Sequence, residues 1–115
     1  MGQYYGCWSD KQDVERDFSI DSQELKGAKI HLAWYGQGDY CGSAFVLFEK
    51  DGQLYECHGS HCSCYGLEDQ WGPEETTVES LAHRLEHGYV FSGYDDGDEA
   101  KAAITRFIKR RRKAT

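Results

Sequence analysis

The side chains best suited to chemistry are concentrated in one short stretch, CHGSHCSC at residues 57–64. It contains three of the chain's five cysteines and two of its five histidines. Thiolate sulfur and imidazole nitrogen are ligands that zinc prefers, and a thiolate activated by an imidazole is also a nucleophile. The stretch therefore indicates a zinc site or a reactive thiol, with buried and inert thiols as the alternative.

A predicted hairpin just before this stretch brings a distant cysteine to it. The Asp-Gly pair at 51–52 favours a two-residue type I′ turn, in which both positions need positive φ. Such a turn pairs residues whose numbers sum to 103, so Cys41 faces Cys62 and Val46 faces Cys57. The pairing with Val46 indicates that Cys57 is a core residue.

The same register limits which groups can share one metal ion. Cys57 and His58 are neighbours on a strand and point to opposite faces, and His58 lies roughly 13 Å from Cys62 along the strand. They can join Cys62 only if the strand breaks at Gly59. The candidate zinc ligands are Cys41, His61, Cys62 and Cys64, with Cys7 as an alternative to His61. In an enzyme, His61 would instead activate Cys62 or Cys64.

The elements that position this site follow from hydrophobic periodicity. Alternation and apolar runs predict strands over about 28–35, 43–50 and 53–59, and apolar stripes predict helices over about 10–19, 77–87 and 98–112. Capping boxes that begin at Ser9 and Thr76 mark the first two helices. Alternation places Ile30 and Leu32 on one face of the first strand, and residues 89–91 are a candidate short strand. The predicted fold is α+β, an antiparallel three-stranded meander packed by helices.

A second histidine pattern, His83-Arg84-Leu85-Glu86-His87, has the H-x-x-E-H form of one class of metallopeptidases. At 100° per residue, both histidines fall well away from the apolar stripe of their helix. We therefore expect them to face solvent, where no cleft excludes water.

Composition indicates one folded domain spanning residues 1–115, with a hydrophobic fraction of 39%. No apolar run approaches the roughly 20 residues of a membrane span, and the amino terminus lacks the pattern of a secretion signal. An odd number of cysteines without such a signal predicts reduced thiols in a cytosol.

Charge is distributed unevenly along the chain. The net charge is −7, but five of the 13 basic residues lie in the run 109–113, so residues 1–108 carry 8 basic and 20 acidic groups. An acidic body repels nucleic acid and attracts basic partners. The basic helix end either contacts phosphates or acts as a nuclear-type basic signal, or it is a frayed helix end that complements the helix dipole and the acidic body. Candidate partner-binding residues are Trp71, Glu74, Glu75, Asp95 and Asp96.

The run HCSCYGLEDQWGPEETT, residues 61–77, follows the hairpin FVLFEKDGQLYE and resembles a core shared by small bacteriophage and prophage proteins of no established activity. The resemblance covers roughly residues 40–88 and implies the cytoplasm of a bacterial host. It favours an accessory protein that binds and inhibits a host or defence protein, through an acidic surface that mimics nucleic acid. The alternatives are a zinc-stabilised module that contacts nucleic acid through its basic tail, and a Cys/His-dependent enzyme.

Overall fold

A computed structural model describes residues 4–37, 41–62, 66–68, 70–87 and 97–114. In chain order the elements are β1 Tyr4–Gly6, α1 Lys11–Phe18, a 3₁₀ turn at Ser22–Leu25, β2 Lys29–Gln37, β3 Cys41–Lys50, β4 Gln53–Cys62, β5 Glu74–Glu75, α2 Val78–His87 and α3 Gly97–Ala114. The fold is α+β, as predicted. Among the described residues, no helix combines the length and the apolar character needed to cross a membrane.

The strands form one sheet in the order β1-β2-β3-β4-β5. The predicted meander is its centre, with β3 antiparallel to both β2 and β4. Two short strands flank the meander: β1 pairs parallel with β2, and β5 pairs antiparallel with β4. Neither short strand is predicted from the sequence, because three and two residues are too few to show a period of two. The candidate strand at 89–91 lies outside the described residues.

The β3–β4 hairpin has the predicted register. Asp51 and Gly52 both adopt positive φ, at 54° and 81°. Every pair from Lys50 with Gln53 to Cys41 with Cys62 matches the sum of 103. β4 extends three residues past its predicted end at residue 59.

The first central strand departs from the predicted alternation. The register of β2 against β3 shifts between Ile30 and Leu32, which leaves His31 as the extra residue of a β-bulge. Ile30 consequently packs in one core and Leu32 in the other. The prediction that the two share a face is wrong, because a bulge breaks the period of two.

The sheet separates two apolar cores. On one face, Val14 and Phe18 of α1, Leu25 of the 3₁₀ turn and Leu67 cover alternate residues of the strands. On the other face, α2 and α3 cover a second core that contains Leu32, Trp34, Phe45, Leu47, Leu54, Leu81, Ile104 and Phe107. We call these the α1 side and the α3 side. β3 is buried on both sides, as its apolar sequence predicts.

Both predicted capping boxes begin one residue later than expected. Asp10 caps α1, and its side chain accepts a hydrogen bond from the Asp13 amide at 2.9 Å. Thr77 caps α2 and accepts from the Ser80 amide at 3.1 Å. Asp and Thr serve as well as their neighbours at an N-cap, so composition alone did not fix the first residue.

Candidate functional site

The hairpin register places two cysteines at opposite positions of neighbouring strands at the end of the sheet, as predicted. Cys41 is the cross-strand partner of Cys62, and His61 is paired with Gly42. Because β4 continues unbroken through Gly59, the strand separates His58 from this pair as the register predicted. Cys64 lies outside the described residues. Within the described ranges, no three His, Cys, Asp or Glu side chains converge to hold a metal ion.

Two further cysteines are described at the level of their side chains. Cys57 is a buried core residue, as predicted, with its Sγ 3.9 Å from the backbone oxygen of Gln70. Burial raises the pKa of the Cys57 thiol, and the charge of Glu74 adds to the shift. A thiol that stays protonated is a poor nucleophile, so Cys57 is a packing residue. Cys7 is exposed at the end of β1, two strands from Cys41.

On the α3 side, β4 carries a buried carboxylate, Glu56, that is not among the site residues predicted from the sequence. Glu56 is 2% exposed and pairs with Arg84 of α2. His58 Nε2 lies 2.5 Å from the same Glu56 oxygen and 3.1 Å from Arg84 Nη1, and its ring packs edge-on against Phe45. The second oxygen, Oε2, is buried without a hydrogen-bond partner among the described atoms. Burial lowers the pKa of His58, and the charge of Glu74 opposes the shift.

A second cluster of a histidine, a carboxylate and an arginine lies on the same side, between β2 and β3 near the hairpin turn. His31 Nε2 lies 2.9 Å from Glu49 Oε1, and Arg111 of α3 bonds the same oxygen. The Arg111 guanidinium also lies over the Phe107 ring at 5.1 Å. Burial lowers the pKa of His31, and the charge of Arg111 adds to the shift. Hydrogen bonds from His31 and Arg111 lower the pKa of Glu49.

The sequence predicts the burial of Glu56 but not the partners in these clusters. The register sum places Glu56 opposite Leu47, on an apolar face of a central strand, and a charge there requires a partner. The partner itself depends on how α2 packs on the sheet, which no local pattern specifies. In the sequence Arg111 is one of five consecutive basic residues, and nothing local indicates that it fixes α3 to β3.

The candidate partner-binding residues divide between the two faces of the sheet. Trp71 packs on the α1 side, where its ring stacks on Phe48 at 5.9 Å. Glu75 is the cross-strand partner of Tyr55, and Glu74 that of Glu56. Paired residues share a face, so Glu75 lies on the α1 side and Glu74 on the α3 side. Both are exposed. Asp95 and Asp96 lie outside the described residues.

Gln70 fixes the loop that carries Trp71 onto the open edge of β4. Its side-chain amide accepts from Ser60 N at 2.9 Å and donates to Ser60 O at 2.6 Å, as a neighbouring strand would. It also donates to Gly66 O at 2.7 Å. The amide thus satisfies backbone groups that β5 is too short to reach.

The basic helix end and the histidine-containing helix are both regular. α3 continues to Ala114, with Lys109, Arg110 and Arg112 exposed, so this end is not frayed over the described residues. In α2, Leu81 is buried and His83 is exposed, as the helical wheel predicted.

Comparisons of the chain with protein-family models, with curated proteins and with solved structures find no match.

Proposed function

We propose that this protein acts by binding another protein, and that it inhibits a host or defence protein by occupying its nucleic-acid-binding surface. The observation that carries the proposal is the charge of the α1 side. Between residues 10 and 26 this layer has three basic residues and six acidic ones, Asp10, Asp13, Glu15, Asp17, Asp21 and Glu24. Glu75 extends the same face.

The sheet holds this acidic layer apart from the basic residues of α3. Arg84, Lys101, Arg106 and the run 109–112 all lie on α2 or α3. Carboxylates presented on one face are suited to a groove that binds phosphates, where complementary potentials accelerate association and select the partner. The resemblance to phage proteins supports a target in a bacterial host.

Affinity capture with charge-matched variants tests the proposal. Replacing Glu15, Glu24 and Glu75 with Gln removes three charges from the α1 side, and replacing Glu74, Glu86 and Glu99 removes three from the α3 side. We expect a nucleic-acid-binding protein to be captured by the wild type and the second variant, and much less by the first. Capture should weaken as salt rises from 50 to about 300 mM, because exposed charges are screened. Equal capture by both variants would contradict the proposal.

The regular basic end of α3 favours a second candidate function, direct contact with nucleic acid. Lys109, Arg110 and Arg112 are exposed along one helix, and Arg111 is held by Glu49. In this alternative, zinc bound by Cys41, His61, Cys62 and Cys64 stabilises the sheet end. Replacing Lys109, Arg110 and Arg112 with Gln would then weaken binding to a labelled RNA or DNA, and native mass spectrometry of chelator-free protein would detect the zinc.

A further inference from the structure

An aromatic surface interrupts the acidic layer of the α1 side. Phe48 stacks on Tyr55 at 5.3 Å with an interplanar angle of 20°, and on Trp71 at 5.9 Å with an angle of 12°. Phe18 meets Trp71 edge-on at 5.1 Å. Phe48 and Phe18 are buried, whereas Trp71 and Tyr55 remain partly exposed. Two partly exposed rings are therefore packed against buried rings and reach solvent.

Carboxylates flank both exposed rings. The Trp71 indole N–H donates to Glu24 Oε1 at 3.2 Å, which fixes the ring against the 3₁₀ turn. Glu75 lies directly across the strand pair from Tyr55. Both carboxylates are exposed. We call Trp71, Tyr55, Glu24 and Glu75 the Trp71 surface.

We propose that the Trp71 surface binds an arginine side chain from a basic segment of the partner protein. A guanidinium can lie on an aromatic ring and donate to a neighbouring carboxylate at the same time. Charge complementarity selects this occupant over an apolar one, because an apolar side chain would remove the two carboxylates from water and supply no donor of its own. The inference rests on the proposed function and adds the chemistry of the partner's contact.

The fixed position of the Trp71 side chain favours such a contact. Trp71 is held by a hydrogen bond and two ring contacts, and its loop is clamped to β4 by Gln70. A surface that is already fixed loses little conformational freedom on binding. Tryptophan, tyrosine and arginine are also the residues that most often dominate binding energy at protein interfaces.

The test is an NMR titration of the full-length ¹⁵N-labelled protein with a short Gly-Arg repeat peptide. Trp8 and Trp34 are buried, so their indole N–H signals serve as internal references for that of Trp71. A peptide of equal length with citrulline in place of arginine keeps the shape and removes the charge. We expect saturable shifts of the Trp71 signal with the arginine peptide only.

Adjacent acidic residues provide the matched controls. Glu75→Gln and Glu74→Gln remove the same charge from neighbouring positions on opposite faces. Glu75→Gln and Glu24→Gln should each weaken the arginine peptide about threefold, and Glu74→Gln should leave its affinity within error. Trp71→Phe keeps an aromatic ring packed against Phe48 and should weaken binding further.

Several results would overturn the inference. Equal binding of the citrulline peptide would mean that the surface takes an apolar or neutral occupant. Equal effects of Glu74→Gln and Glu75→Gln would mean that the peptide senses only net charge, and unchanged Trp71 signals would place binding elsewhere. If affinity capture succeeds while the peptide titration fails, the proposed function stands and the Trp71 surface is excluded. If the titration succeeds but no partner is captured, the Trp71 surface binds arginine and the proposed function is excluded.

Discussion

Glu56 illustrates how much a single residue contributes to holding this fold together. Its carboxylate is buried at 2% exposure, and its pairing with Arg84 joins α2 to the sheet. The hairpin register could predict that Glu56 is buried, because it faces Leu47 on a covered strand. It could not predict Arg84, since that contact depends on tertiary packing.

We therefore predict that Arg84→Met destabilises the protein by about 3 kcal/mol, because it leaves a buried carboxylate without its cation. The double variant Glu56→Met, Arg84→Met should recover most of that loss, since apolar residues of similar volume need no partner. Urea unfolding measures both. As a control, Arg16→Met removes an exposed ion pair with Asp13 and should change the unfolding free energy little. A double variant no more stable than Arg84→Met would contradict this account.

The two clustered histidines predict how stability depends on pH. The pKa of both His31 and His58 is lowered by burial, so the folded protein favours their neutral forms. Between the ordinary value of about 6.5 and the lowered folded value, the unfolded chain binds more protons, so acid favours unfolding. Their contribution is fully present above about pH 6.5 and is lost as the pH falls below it.

Unfolding free energies measured between pH 5 and 7.5 test this prediction. The unfolding free energy of the wild type should rise with pH. In the double variant His31→Gln, His58→Gln this rise should be smaller. His83→Gln is the matched substitution at an exposed position of α2. If the double variant keeps the full slope, other groups cause the pH dependence.

At the scale of elements, long periodic segments were predictable and short ones were not. The meander, the register of the β3–β4 hairpin and the three predicted helices follow from apolar spacing and from one Asp-Gly turn. Packing and long-range pairing determine the bulge at His31 and the edge strands β1 and β5. These features are too short to show a hydrophobic period in the sequence. The same holds for Gln70, whose side chain closes an edge from ten residues away.

The turn that sets the register should be sensitive to one substitution. Gly52 has φ of 81°, and a Cβ built on it meets nothing within 4 Å, so only backbone conformation opposes a side chain there. We predict that Gly52→Ala destabilises the protein by about 1 kcal/mol. Gly72 also has open space but no positive φ, so Gly72→Ala should be neutral or slightly stabilising. Equal losses for the two variants by urea unfolding would contradict the argument.

For the whole molecule, the sheet acts as a partition between an acidic layer and a basic helix. The sequence showed that charge is uneven along the chain, but not that Glu74 and Glu75 lie on opposite faces. That division depends on the pairing of β5 with β4, which joins residues 18 and 20 positions apart. Because the two residues lie on opposite faces, Glu74→Gln and Glu75→Gln change the net charge equally but alter different surfaces.

Displacement of nucleic acid from the captured partner tests the central claim most directly. The partner's complex with a fluorescently labelled nucleic acid is titrated with this protein, and anisotropy reports the displaced label. We predict complete, competitive displacement by the wild type and by the Glu74, Glu86, Glu99 variant, with a several-fold weaker effect of the Glu15, Glu24, Glu75 variant. A complex that keeps its nucleic acid while binding this protein would contradict the account.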